Sequence, residues 1–183
     1  MQSFVQRMIG AAKLDVPTYE EVEHDSGATG QAAIVVVLAA IATGIGAMAG
    51  GSIKLFLFAA IAALLGWLIW AAIIWVVGTK LLPEAQTEAD LGQLLRTLGF
   101  AASPGLLRIF GFLPVIGGLV FLVVNIWMLV TMVIAVRQAL DYNSTWRAVG
   151  VCLIGWLVQL LILGLLGGAA SLGMSGAPGA PAV

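Results

Sequence analysis

The stretch Leu55–Val77, LFLFAAIAALLGWLIWAAIIWVV, has no ionisable side chain over its whole length. About 20 apolar residues of helix cross a bilayer's hydrocarbon. Inside lipid, only a helix or a closed barrel satisfies its own backbone. The run's Leu, Ile, Phe and Val side chains favour insertion by roughly −4 to −8 kcal/mol. Trp75, near one end, suits an interface, whereas the central Trp67 and Trp70 suit packing between helices.

Similar blocks recur at Gln31–Ala49, Pro114–Val136 and Val149–Leu166, with short polar connections between them. Hydrophobic residues form 61% of the chain and charged residues 9%, and the mean hydropathy is +1.09. A soluble domain carries about 25% charged residues, so one water-soluble core does not account for this surface. The expected fold is all-α, a polytopic membrane helical bundle. A net charge of −1 gives no footprint for nucleic acid. The lone Cys152 allows neither an internal disulfide nor a cysteine metal cluster.

The chain enters through a polar segment, residues 1–30. Phe4, Val5, Met8, Ile9 and Ala12 share one helical face with Arg7 and Lys13 off it, which suits a membrane interface or packing on the protein itself. Thr18 with Glu21 then reads as a capping box for a helix over Tyr19–Asp25. Glu20, Glu21, Glu23, His24 and Asp25 read as a solvated acidic face, because successive helical residues point apart and a hard cation needs converging oxygens. No metal or other cofactor is expected. Ala47-Met48-Ala49 resembles a signal-peptidase site, but the long acidic region before it favours a retained span.

The topology turns on Leu91–Phe112, LGQLLRTLGFAASPGLLRIFGF, where Thr87 with Asp90 is expected to cap the entry. Its apolar gain, roughly −3 to −6 kcal/mol, is nearly cancelled by Arg96 and Arg108 at up to about 3 kcal/mol each. Charge placement arbitrates. Five crossings with the N-terminus inside put Arg7, Lys13, Lys80, Arg96, Arg137 and Arg147 inside and only Lys54 and Arg108 outside. Four crossings leave a weaker split, with Lys54, Arg137 and Arg147 outside. The prediction is five transmembrane helices, N-in and C-out, in a membrane domain over residues 31–168. Ser103-Pro104-Gly105 interrupts the third crossing, and such freed backbone survives only where protein surrounds it. Residues 169–183 form a Gly/Ala/Pro tail expected to be flexible.

No span centre carries Asp, Glu, Lys or His, so a proton relay has no residues to run on. Asn125 and Gln159 are the polar side chains nearest mid-span; they suit either a solute path or, the better reading, interhelical hydrogen bonds. Gly46 with Gly50 and Gly164 with Gly168 match a close-packing spacing, without identifying a dimer interface. The motifs of serine hydrolases, P-loop proteins, zinc proteases and thiol redox proteins are absent, and no enzyme is expected.

The central GFAASPGLLRIFGFLPVIGGLVFLVVNIWMLV, the Arg-bearing loop AVRQALDYNSTWRAV and the entry RMIGAAKLDVPTYEEVEHDSGATGQAA together resemble bacterial members of the Yip family, the Ypt/Rab-interacting-protein domain. The resemblance covers about residues 5 to 168. It implies a multi-pass integral membrane protein, here of a bacterial cytoplasmic (inner) membrane, with no assigned enzymatic activity. Eukaryotic relatives are scaffolds that bind Rab GTPases and one another. This chain lacks their Asp-Leu-Tyr-Gly-Pro motif, which speaks against a GTPase partner. The expected partners are the lipid bilayer and a second copy or another membrane protein. The leading expectation is a scaffold or accessory subunit of a membrane complex; the alternatives are a small-solute or ion permease and a bilayer-remodelling protein.

Overall fold

The computed structural model describes residues 2–47 and 53–175. It is all-helical over those residues: α1 (Phe4–Ala12), α2 (Val16–His24), α3 (Ala28–Gly46), α4 (Ile53–Val76), α5 (Leu91–Ala101), α6 (Gly117–Ala139) and α7 (Thr145–Ser175). A π-helical turn, Val77–Leu81, extends α4, and a 3-10 segment, Ser103–Phe112, follows α5. Four helices are long and apolar enough to cross a membrane: Ala28–Gly46, Ile53–Leu81, Gly117–Ala139 and the Thr145–Ile162 part of α7.

Leu91–Phe112 is not one helix of that length. Pro104 brings no N–H to the ladder, and Ala102 and Gly105 donate instead to carbonyls three residues back, tightening the coil. Both halves nevertheless follow α3 in the same direction. A Cβ on Gly99 would stand 2.6 Å from that of Ala32, one on Gly105 3.1 Å from that of Ala39, and one on Gly46 would strike the carbonyl of Arg108. From Ala32 to Gly46, α3 climbs about 21 Å, and the broken segment climbs beside it. Against α6 it runs antiparallel. The Thr131 hydroxyl donates to Ala101 O at 2.8 Å, Met128 lies against Gly105, and Phe121 lies against Gly111. It is antiparallel to α4 as well, where Trp75 and Trp67 donate their indole N–H to Ala89 O (2.9 Å) and Leu95 O (3.1 Å).

Packing is uneven along the bundle. Tyr19, Ile74, Leu94, Val136, Leu140 and Val151 are fully buried at the end where α1 and α2 lie. Towards the other end α4, α6 and α7 present Leu57, Phe58, Ile61, Leu119, Leu122, Leu160 and Leu161 outward. The 29 residues of Ile53–Leu81 reach about 43 Å, beyond a hydrocarbon layer of about 30 Å. That leaves about 13 Å of helix beyond one such layer.

Several local expectations are corrected. Asp15, not Thr18, caps α2: its carboxylate accepts from Thr18 N and from the Thr18 hydroxyl at 2.6 Å. Leu14 reverses the chain at φ 63°, and Pro17 sits in the first turn, so α2 starts earlier than a Thr18 cap implies. Asp90, not Thr87, caps α5, with Gln93 closing the capping box. Pro114 does not open α6; Val115 turns the chain at φ 70° and the helix begins at Gly117. α7 continues past Leu166 to Ser175, since the Gly and Ala residues there do not stop a helix, and residues 176–183 lie outside the described residues.

Candidate functional site

The broken segment α5–3-10 is where Arg96, Ser103, Arg108 and Asn125 find their partners. At its entry Arg96 is 8% exposed. Its guanidinium donates to Val22 O and Glu23 O, the carbonyls that α2 leaves unpaired at its C-terminal end. At the break, Ser103, Pro104 and Gly105 are buried between α3 and α6, and the Ser103 hydroxyl donates to Phe100 O at 2.6 Å. Near the far end, Arg108 donates to the Thr43 hydroxyl at 3.4 Å and to the Asn125 side-chain carbonyl. Its Nε is buried without an acceptor. One chain segment thus joins α2, α3 and α6.

The other expected positions separate. Gln159, half-buried on α7, shares no hydrogen bond with Asn125 among the described residues. Gly46 serves contact within the chain, where α3 meets the 3-10 segment. Gly50 lies outside the described residues. Gly164 faces open space, and at Gly168 only the course of α7 is described.

Two polar clusters on the densely packed end were not legible as sites. Arg7, expected off the apolar face, is 2% exposed. It pairs with Glu21 at 2.9 Å and Asp25 at 2.7 Å and reaches Gln31 at 3.1 Å, fastening α1, α2 and the start of α3. Those hydrogen bonds hold both carboxylates below their ordinary range. α1 is therefore packed on the bundle, with Phe4 edge-on to Phe100 and Trp127 donating to Ala12 O at 2.7 Å, while Val5 and Ile9 face outward. Glu23 is 2% exposed, with Gln93 as its side-chain partner at 3.0 Å. Burial first, then repulsion from Asp141, pushes its carboxyl up to about 7. The only advance signal was the i, i+4 spacing of Glu21 and Asp25, which also fits a solvated face.

The second cluster is a clamp over the end of α4. The Tyr142 hydroxyl lies 2.9 Å from Gly78 O and 2.7 Å from Leu82 O, and Arg147 pairs with Glu84 at 3.3 Å. Burial pushes the Tyr142 phenol up to about 12. Among the described residues, no three His, Cys, Asp or Glu side chains are placed to hold a metal. Between α4, α5 and α6, Trp67, Trp70, Leu98, Ala101, Ala102, Met128 and Met132 enclose about 60 Å³.

A family model described as the Yip1 domain matches residues 16–166. No curated protein and no solved structure matches the chain.

Proposed function

Because the chain belongs to the Yip1 domain family of membrane proteins, we propose that it is a non-enzymatic scaffold or accessory subunit of a membrane complex. The observation that carries this reading is the use of its intramembrane polar groups. Arg108, Thr43, Asn125 and Thr131 bond one helix to another, whereas the apolar faces of α4, α6 and α7 are turned outward. A rigid bundle with broad apolar flanks suits lateral association with a second copy or another membrane protein. Extraction of the full chain in mild detergent, followed by cross-linking and mass measurement, should give a homo-oligomer or a stable heteromeric complex. A monomer at native expression levels would overturn the proposal.

The topology we infer for it is five crossings, N-in and C-out, in a bacterial cytoplasmic membrane. The broken segment supports this reading by following α3 in direction and antiparallel to α4 and α6. A re-entrant loop would return to its own side. With Cys152 replaced by Ala, a membrane-impermeant maleimide applied from outside should label Val115→Cys but not Thr87→Cys or Ser144→Cys. Labelling of Ser144→Cys from outside, with Val115→Cys and Thr87→Cys both left unlabelled, would remove the fifth crossing.

A permease is the less supported alternative. Asn125 is engaged by Arg108, and Gln159 stands apart from it. Solute flux in proteoliposomes that vanishes on Asn125→Leu would restore that reading.

A further inference from the structure

We propose that Arg108, with Asn125 and Thr43, binds the phosphate of an anionic phospholipid, whose acyl chain lies in the groove between the 3-10 segment and α6. The first ground is charge. None of the nine Asp and Glu side chains lies at this end of the molecule; they occupy residues 15–25, 84–90 and 141, in α2 and the loops on the Arg96 side. Arg108 and Lys54 are the cations of the far end. A guanidinium has five N–H donors, of which Arg108 gives one to a hydroxyl and one to an amide carbonyl, and its Nε–H has no acceptor. A cation so placed is unfavourable unless a counter-charge reaches it. A second copy of the chain has no Asp or Glu side chain to offer at this level, whereas the bilayer supplies phosphates.

The second ground is shape and access. Asn125 is exposed on the outer surface of α6, so the bridged pair is open to lipid. Thr43 lies one turn before the end of α3, about 5 Å, within reach of a headgroup at the hydrocarbon edge. Leu107 and Val124, the chain neighbours of Arg108 and Asn125, belong to an apolar groove of about 370 Å³ with Phe110, Leu119, Val123 and Trp127. Cavities of roughly 300–1,000 Å³ are the size that holds small ligands. Arginine is the side chain suited to phosphate, through its planar fork of donors.

The test uses the full chain purified from vesicles of equimolar phosphatidylglycerol and phosphatidylcholine, with retained lipid read by native mass spectrometry. Phosphatidylglycerol should be retained preferentially, and Arg108→Met should lower its retention about tenfold, the loss expected for one charged hydrogen-bonded contact. Val123→Trp, an outward-facing substitution on the groove wall, should also lower retention. It decides the matter if Arg108→Met does not fold. Equal retention of the two lipids, or retention unchanged by the substitution that folds, would overturn the proposal. Displacement of the lipid by inorganic phosphate would overturn it too, by assigning the site to a free anion.

Discussion

Arg96 and Arg108 lie on the same broken segment and have opposite surroundings. Arg96 is enclosed by protein, its guanidinium completing the end of α2, with Glu23, Gln93 and the acidic loops nearby. Arg108 has a hydroxyl and an amide and no acid at its end of the molecule. The densely packed end is closed by the chain's own hydrogen bonds. At the far end the Arg108 Nε–H is left without an acceptor. The glycines differ too, without following that division: a Cβ on Gly46, at the far end, or on Gly99 would strike a neighbour, while one on Gly30, Gly66 or Gly164 would meet nothing within 4 Å.

The largest expected effect attacks the seam between α3 and the broken segment. A Cβ at Gly46 would fall 1.7 Å from the carbonyl oxygen of Arg108, a backbone atom that cannot swing aside. Gly46→Ala should therefore cost more than about 3 kcal/mol, the upper end for overpacking. Gly66→Ala, in open space on α4, should raise helix stability by up to about 1 kcal/mol. Thermal melting of both variants in one detergent checks the pair, and equal melting points would dissolve the contrast.

Next come the arginines. Arg96→Met leaves the carbonyls of Val22 and Glu23 buried without a donor. It should cost about 3 kcal/mol, since each unmet buried group costs about 1–3 kcal/mol. Arg108→Met removes a cation that lacks a counter-charge within the chain and should cost about 1 kcal/mol or less in a detergent without anionic lipid. Denaturant titration of the two variants side by side measures the difference. A larger loss for Arg108→Met would reverse the comparison.

How much of this was readable beforehand follows from the kind of interaction. Four spans were legible in Leu55–Val77 and its counterparts, because lipid demands length and apolarity together. The all-helical class followed, and the family was visible in GFAASPGLLRIFGF and its neighbours. The break at Ser103-Pro104-Gly105 was legible because proline removes a donor at a known place. Arg7 was not. Helical periodicity put it off the apolar stripe, and nothing local says that Glu21, Asp25 and Gln31 come from two further helices to enclose it. The caps at Asp15 and Asp90 were missed in favour of Thr18 and Thr87 because both residues of each pair are good caps. The turn geometry at Leu14 and the Gln93 side chain decided between them. The Arg108–Asn125 bridge was beyond sequence reasoning, since it needs the register of the 3-10 segment against α6.

A third effect belongs to the densely packed end alone. Glu23 is raised to about 7 from an ordinary 4.5, chiefly by burial, with Asp141 and Glu20 adding repulsion and His24 and Arg96 opposing it. The folded state then holds this proton where the unfolded chain has released it. Stability from this group is complete below about pH 4.5 and falls as pH rises towards about 7, by about 3 kcal/mol. Glu23→Gln keeps an acceptor for Gln93 and should flatten that fall, leaving the variant more stable than the parent at pH 8. Melting curves across this range check it; a parent stability that rises between pH 5 and 7 while the variant's stays flat would refute the assignment.

The smallest effect lies at the far end, where the turn between the 3-10 segment and α6 is strained. Val115 has φ 70° and is fully exposed, so its side chain contributes no packing to offset a conformation that β-branched residues rarely adopt. The corresponding turn at the densely packed end uses Asp141 at φ 53°, a residue type that tolerates the left-handed region, and its neighbour Tyr142 is fastened to Gly78 and Leu82. Val115→Gly removes the strain but gives the unfolded chain more freedom, about 1 kcal/mol in the opposite direction. With strain of about 1–3 kcal/mol per such residue, the net gain should be about 1 kcal/mol. Asp141→Gly should yield less, because an aspartate stores less strain there. A melting point lowered by Val115→Gly would mean that lipid or a partner packs on the valine, making the far turn a contact surface instead of a strained hinge.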